Sequence, residues 1–553
     1  MPRLLIVSHD LIGERMAGVG IRYYETARAL AQDPNLQVTL AAPPGSALPR
    51  SAGDFRVRLI VYPSFSALDN AIRECDVLLA YPDTIWQLQA VLSAHNIPVV
   101  VDGYDITLLE HLELDCAQKT LDERMAWQAE YQRMMTYVLG RGDLFLAATE
   151  RQRDWWLGML AAAGRINPVT YEAGPSLRHL VALLPYGLPQ SAPVHTRPVM
   201  RGMIEGIRPE DKIILWGGGI WQWLDPLTLI RAAEQLAARR PDVKFVFPGV
   251  SHPAHKVEQS IAIQKEAVEL ARSLGLLGQT VFMGDWVAYE DWPNYLLESD
   301  VGVSLHRDHL ETRLSARTRL LSYLWAGLPM VLTQGDELAG QMAKAGLAIL
   351  VEEGDATAAA EAIEQALTWP REKLHDKFEA LRRQFHWSNV VKPLRDFCLQ
   401  PSVSPDRLYN NKIYTADAMS IPNQPVMTQT TPSAPHPENS SFPPELQLSP
   451  PSSFIARLLS PLLDALVFWR LRTLIWQQNQ INQAITNAIR ASQEETKRQI
   501  NALQASQEET KRQINALQAS QEETKRQIAQ LAARLTDAEN LQTDLIAATA
   551  KRL

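Results

Sequence analysis

The chain has 553 residues, 46% of them hydrophobic, enough for two or three domains with sizeable cores. Its formal net charge of −8 argues against general nucleic-acid binding, so any phosphate recognition rests on local basic clusters. The three cysteines, Cys75, Cys116 and Cys398, lie far apart, which excludes a disulfide framework or a Cys-rich metal site and suits a reducing cytoplasm.

Residues 3–7, RLLIV, read as a buried strand that stops at Ser8-His9-Asp10, too short an apolar run for a signal peptide. A loop with Gly13, Gly18 and Gly20 follows, then the helical stretch IRYYETARALAQ. Strand, glycine loop and helix in that order open a doubly wound α/β domain, with helix amides placed to face an anion. A tight turn with no ligand is the other reading. Segments 37–41, 55–62, 76–80 and 97–101 supply further strands. The last runs into DGYDITLLEHLELD, so Asp102, Asp105, Glu110, His111 and Glu113 follow a strand's carboxyl end, where open α/β sheets bind ligands. Helix starts favour acids in any case. A helix over 119–139, a strand over 144–148 and a second helix follow, with Trp155, Trp156 and Leu160 read as core. Residues 180–189 give one more strand and a Gly-Pro turn.

A second series of strands begins at 212–216, KIILW, followed by Gly217-Gly218-Gly219. Three glycines after an apolar strand let backbone approach a ligand closely, and Gly218 and Gly219 are the best phosphate-loop candidates. Strands are expected at 244–248 and 280–283, the second leading into Gly284-Asp285-Trp286-Val287, with an amphipathic helix over 256–274 between them. Residues 301–340 organise this half: a strand at 301–305, a charged loop, and a helix from near Ser315 that ends at Gly327 and Pro329. A strand at 330–333 completes the stretch. The loop and first turns gather His306, Arg307, Glu311, Arg313, Arg317 and Arg319. A core has no need of so many charges, whereas a diphosphate at a helix N-terminus uses them. A strand at 348–351 and helices at 358–367 and 388–399 follow.

A strand, a charged loop and a helix ending YLWAGLP resemble the nucleotide-sugar site of the retaining glycosyltransferases of family 4, which have the GT-B fold. Their Glu-x7-Glu motif is altered here: Ser322 stands at the second glutamate, Leu314 at the first, and the nearest acid is Glu311. Their glycine loop carries an Arg, with a Lys further on, where this chain has Trp221, Trp223 and Asp225. The resemblance covers about residues 1–400 and implies two Rossmann-like domains, an acceptor domain over 1–195 and a donor domain over 196–400, joined by a linker at 191–201. It implies retaining transfer of a sugar from a nucleotide-sugar to a glycan or lipid-linked acceptor in cell-envelope polysaccharide synthesis. No cofactor and no metal are expected. Gly218 and Gly219 amides with Arg307, Arg317 and Arg319 would hold the diphosphate; Glu311 and Ser322 would sit near the sugar and ribose. Gly18 and Gly20 would admit the acceptor or donor phosphate. Asp105 and His111 would face the transferred sugar, and Trp286 or Val287 would flank the base. The alternatives are a GT-B scaffold that has lost catalysis and assembles partners, and a nucleotide-sugar epimerase of the same fold.

Residues 401–452 are rich in Pro, Ser, Thr, Asn and Gln and read as a disordered linker. The apolar stretch 454–476, within 453–478, is broken by Arg457, Asp464, Arg470 and Arg472. It reads as an amphipathic helix lying on a membrane or docking on protein. The tail at 479–553 repeats ASQEETKRQINALQ, a period of two heptads, with Ile500/Leu503 and Ile514/Leu517 on one seam. A coiled coil forming a homo-oligomer is expected, or a lone charged helix. The expected location is cytoplasmic, with peripheral contact at the inner face of the cell membrane.

Overall fold

β1 (Arg3–Val7) buries four of its five residues, and β4 (Val77–Ala80), β5 (Val99–Asp102) and β6 (Leu144–Ala147) bury all of theirs. Strands apolar on both faces belong inside a parallel sheet covered by helices. With β2 (Gln37–Ala42), β3 (Arg58–Val61) and β7 (Val181–Leu183) they form one sheet in the order β3-β2-β1-β4-β5-β6-β7. A second sheet joins β8 (Lys212–Trp216), β9 (Val243–Phe247), β10 (Val281–Met283), β11 (Val301–Ser304), β12 (Met330–Thr333) and β13 (Ala348–Val351) in the order β10-β9-β8-β11-β12-β13. Every strand pair in both sheets is parallel. This is the doubly wound α/β, GT-B-like architecture expected. The computed structural model describes residues 1–49, 56–115, 119–249 and 262–408.

In each sheet the order reverses beside the first strand, between β1 and β4 and between β8 and β11. Ligands of such sheets bind at the carboxyl ends of the strands flanking that reversal. The end of β1 leads toward the Gly18 region, and the ends of β8 and β11 lead into the Gly217–Gly219 and His306–Arg319 regions; Asp102–Asp105 follows β5, the strand next to β4. The described residues all fall in one compact unit. The chain returns to the first sheet through helices Trp387–Val390 and Lys392–Leu399, whose Leu394 and Cys398 share a core with Leu4 and Ile6. Leu188 N donates to Phe385 O (2.6 Å) and Trp387 N to Leu188 O (3.0 Å). A Cβ on Gly187 would overlap the Trp387 ring, so only glycine lets the two segments meet.

Three expectations are corrected. The helix expected from near Ser315 starts at Thr318 and runs to Ala326, and the charged loop before it holds a further short helix, Leu310–Leu314; Ser315 and Arg317, between the two, have extended backbone. The first helix begins at Gly18 instead of Ile21, which puts the glycines inside its first turn. Residues 401–408 are packed and not linker: Asp406 is 1% exposed and pairs with Arg165. An average over fifty polar residues hides one buried acid. The amphipathic segment 454–476, the coiled coil and the rest of the linker lie outside the described residues. Among the described residues no helix is long and apolar enough to cross a membrane.

Candidate active site

The second half builds its part of the site around Tyr323. Its hydroxyl accepts from Gly217 N at 2.6 Å and lies 3.0 and 2.9 Å from the Leu215 and Val303 carbonyls, donating to one of them. The ring covers Gly302, where a Cβ would come within 2.5 Å of it. Tyr323 thereby clamps helix Thr318–Ala326 to the ends of β8 and β11. The glycine turn and the helix start are brought together as a result. Gly218 adopts φ +97° with open space where a side chain would stand, and the Gly218 and Gly219 amides have no acceptor among the described residues. Arg319 Nη2 donates to Gly219 O at 2.8 Å, with the guanidinium 4.8 Å above the Trp216 ring. No carboxylate pairs with Arg319 among the described residues, and its Nη1 is shut from solvent without a partner. Burial pushes its pKa down to about 10. An enclosed cation beside free amides is a site prepared for an anion. Ser322, one turn further along the helix, is partly buried.

Arg317 is arranged differently. Its Nη2 lies 2.5 Å from Glu311 Oε2 and 3.3 Å from Thr312 Oγ1. Glu311 sits on the short helix Leu310–Leu314, which His309 caps by accepting from Thr312 N through Nδ1 (3.3 Å). Across the gap, in the first half, stand Glu110 and Asp105. Burial, with Glu311 adding to it and Arg317 opposing, pushes the Glu110 carboxyl up to about 7. Burial pushes Asp105 well above the carboxylate range, and Glu110 and Asp102 add to the effect. Arg307 is partly buried and has no ion pair among the described residues. No three His, Cys, Asp or Glu side chains among the described residues gather as a metal site.

The first half departs from expectation at the glycines. Gly20 N donates to Asp10 Oδ2 at 3.3 Å, and a Cβ at Gly20 would overlap the Leu11 carbonyl. A carboxylate therefore faces the amide expected to meet a phosphate, while Gly18 borders open space. His111 stacks on Trp127, ring centroids 4.3 Å apart, on the next helix, Leu121–Arg141. The structure thus brings Asp105 and Glu311 into one electrostatic cluster and sets the His111 ring on an aromatic stack. Trp286 lies against Gly249 and Gly219, beside a cavity of about 800 Å3 lined by Arg15, Pro248, Phe282, Val287 and Tyr295 among others.

Residues 211–368 match the family described as Glycosyl transferases group 1. No curated protein matches the sequence. Among solved structures the chain is similar to HepE of Anabaena in complex with UDP and glucose, at 14% identity over 76% of this chain and 100% of that one, with a TM-score of 0.47. Sucrose-phosphate synthase of Thermosynechococcus elongatus is similar at 14% identity over 76% and 100% of the two chains, TM-score 0.45. The trehalose-6-phosphate protein of E. coli bound with UDP-2-fluoro glucose is similar at 14% over 72% and 99%, TM-score 0.48.

Sequence reasoning missed the side chains that tie the second half to the first. Arg151 Nη1 donates to Gly335 O (2.5 Å) and Arg313 O (3.3 Å). On the opposite flank Tyr289 N donates to Glu14 O (2.7 Å), Trp286 Nε1 to Met16 O (3.3 Å), and the Tyr289 hydroxyl to Glu25. Also missed was Arg22, 2% exposed, which grips Asp102 with two bonds of 2.9 and 2.8 Å, donates to Leu184 O and lies over the Tyr104 ring. The only trace of it in the sequence is an arginine just past a G-x-G turn, 80 residues from its acid.

Proposed function

We propose that the protein transfers a sugar from a nucleotide-sugar donor to a glycan or lipid-linked acceptor, with retention at the anomeric carbon and without a metal. The observation that carries the reading is Arg319: an enclosed guanidinium with no carboxylate, bonded to the glycine turn whose amides are free. Amides and guanidinium together can take the charge that develops on a leaving diphosphate, the task a divalent cation performs elsewhere. In this reading Ser322 lies near the ribose or sugar, Asp105 and Glu110 face the acceptor, and Trp286 flanks the base. HepE, with UDP and glucose in its complex, is consistent with a uridine donor. A cytoplasmic setting, peripheral membrane contact through 454–476 and self-association through the repeats of the tail belong to the same proposal.

The test is nucleotide-sugar binding and turnover by the full chain with UDP-, GDP- and dTDP-sugars, in EDTA. Wild-type binding that Arg319→Ala abolishes supports the reading; binding unchanged by Arg319→Ala overturns it. A second reading, a GT-B body that binds without transferring, is favoured by Ser322 in place of an acid. Tight binding with no release of nucleoside diphosphate would select it.

A further inference from the structure

Two arginines open the helix Thr318–Ala326, and they are in different states. Arg319 has no acid, whereas Arg317, 8% exposed, is closed on Glu311, 4% exposed, at 2.5 Å. The chain itself thus supplies the anion at Arg317. We propose that the Glu311 carboxylate is a built-in rival of the donor's diphosphate, holding Arg317 until a nucleotide displaces it. The proposal rests on the reading that Arg319 and the glycine-turn amides receive that diphosphate, and extends it to Arg317.

The surroundings of Glu311 make it a rival and not a donor ligand at rest. On its own loop it meets Arg317 and, at 3.9 Å, His309 Nδ1. That nitrogen accepts from Thr312 N, so it has no proton to give the carboxylate. From the other half it faces Glu110 and Asp105, both carboxyls, while Glu113 faces His309. If Arg317 lets go, Glu311 is left among acids with its cation gone. Breaking a buried pair by removing one partner is unfavourable. Nucleotide binding must offset that cost, which lowers apparent affinity as any conversion from a non-competent state does. The pair spans the stretch between the two helices. Arg317 is the residue before the helix that Thr318 begins, and its backbone is extended.

The experiment is calorimetric titration of the full chain with UDP, and with GDP and dTDP in parallel, for wild type, Glu311→Gln and Arg319→Ala. The proposal expects Glu311→Gln to bind the nucleoside diphosphate about tenfold more tightly than wild type, while Arg319→Ala loses binding. If Glu311→Gln is no tighter while Arg319→Ala still loses binding, the rivalry is wrong and the diphosphate site stands. If wild type binds none of the three nucleotides, the site reading fails and the proposal fails with it. Should Glu311→Gln not fold, Glu311→Asp keeps the charge but shortens the reach. Tightening of severalfold is then expected, and unchanged affinity overturns the proposal.

Discussion

The guanidinium of Arg319 donates to the carbonyl of Gly219 at 2.8 Å. That bond joins the two features on which the functional reading depends, the triple-glycine turn after β8 and the arginines opening the helix beyond β11. They are a hundred residues apart in the chain and meet because β8 and β11 are neighbours in the sheet.

Arg319→Met should remove nucleotide binding and leave the fold intact. Methionine fills much of the arginine stem's volume against Trp216, and the enclosed charge that burial disfavours is gone. A charge-assisted hydrogen bond contributes about 1.5–3 kcal/mol. A fall in nucleotide affinity of at least about tenfold is expected, with a melting temperature equal to or above wild type. A melting temperature that drops while affinity holds would assign Arg319 to the core.

Tyr323→Phe should act the opposite way, on stability first. It deletes the hydroxyl that accepts from Gly217 N and leaves that buried amide without a partner. An orphaned buried donor costs about 1–3 kcal/mol. Urea unfolding should show that loss, and nucleotide affinity should fall with it, because the glycine turn is no longer fixed to the helix.

The strands were legible in the sequence because many are short apolar runs, several of them beside a Gly, Pro or Asp. Residues 212–216, 330–333 and 348–351 were read to the residue. The extended stretch at Ser315–Arg317 was not, since no proline or glycine marks it; the Arg317–Glu311 ion pair that spans it links residues six apart in sequence. Arg22 with Asp102 and Arg151 with Gly335 were invisible for a different reason. Local pattern reports which face of an element is buried, but not which distant backbone a long cation will reach. The packing of 401–408 escaped because composition averages over windows, while burial is decided by single residues such as Asp406.

Glu110 gives a pH dependence with a definite sign. Its folded pKa is raised to about 7, above the ordinary carboxyl value, by burial and by Glu311. Between about 4.5 and 7 the folded protein therefore holds a proton that the unfolded chain has lost. Its protonated form favours the fold fully at low pH, and that contribution is lost as pH rises through about 7. Asp105 shifts in the same direction. Stability should decline from pH 5 toward 7.5, and Glu110→Gln should flatten that decline. Melting temperatures of wild type and Glu110→Gln across this range check it; parallel curves for the two would remove Glu110 as the source.

The last described residues test whether 401–408 is part of the folded body. Arg165 lies 2.5 Å from Asp406 through Nε, and Ser404 Oγ donates to Asp406 at 2.6 Å. Burial works against the Asp406 carboxylate, yet Arg165 and Ser404 hold its pKa below the ordinary value. Alongside, Asp143 accepts from Val99 N, Ser404 N and Arg407. Removing one member of a buried pair leaves a charge with no compensation, at a cost of about 3–5 kcal/mol, whereas replacing both by apolar groups is often close to neutral. Asp406→Leu alone should therefore destabilise the full chain strongly, and Arg165→Met with Asp406→Leu should recover much of the loss. Urea unfolding of the two single variants and the double variant gives the coupling directly. Additive losses would mean that the 401–408 segment contributes to the fold by its backbone and Ser404 alone.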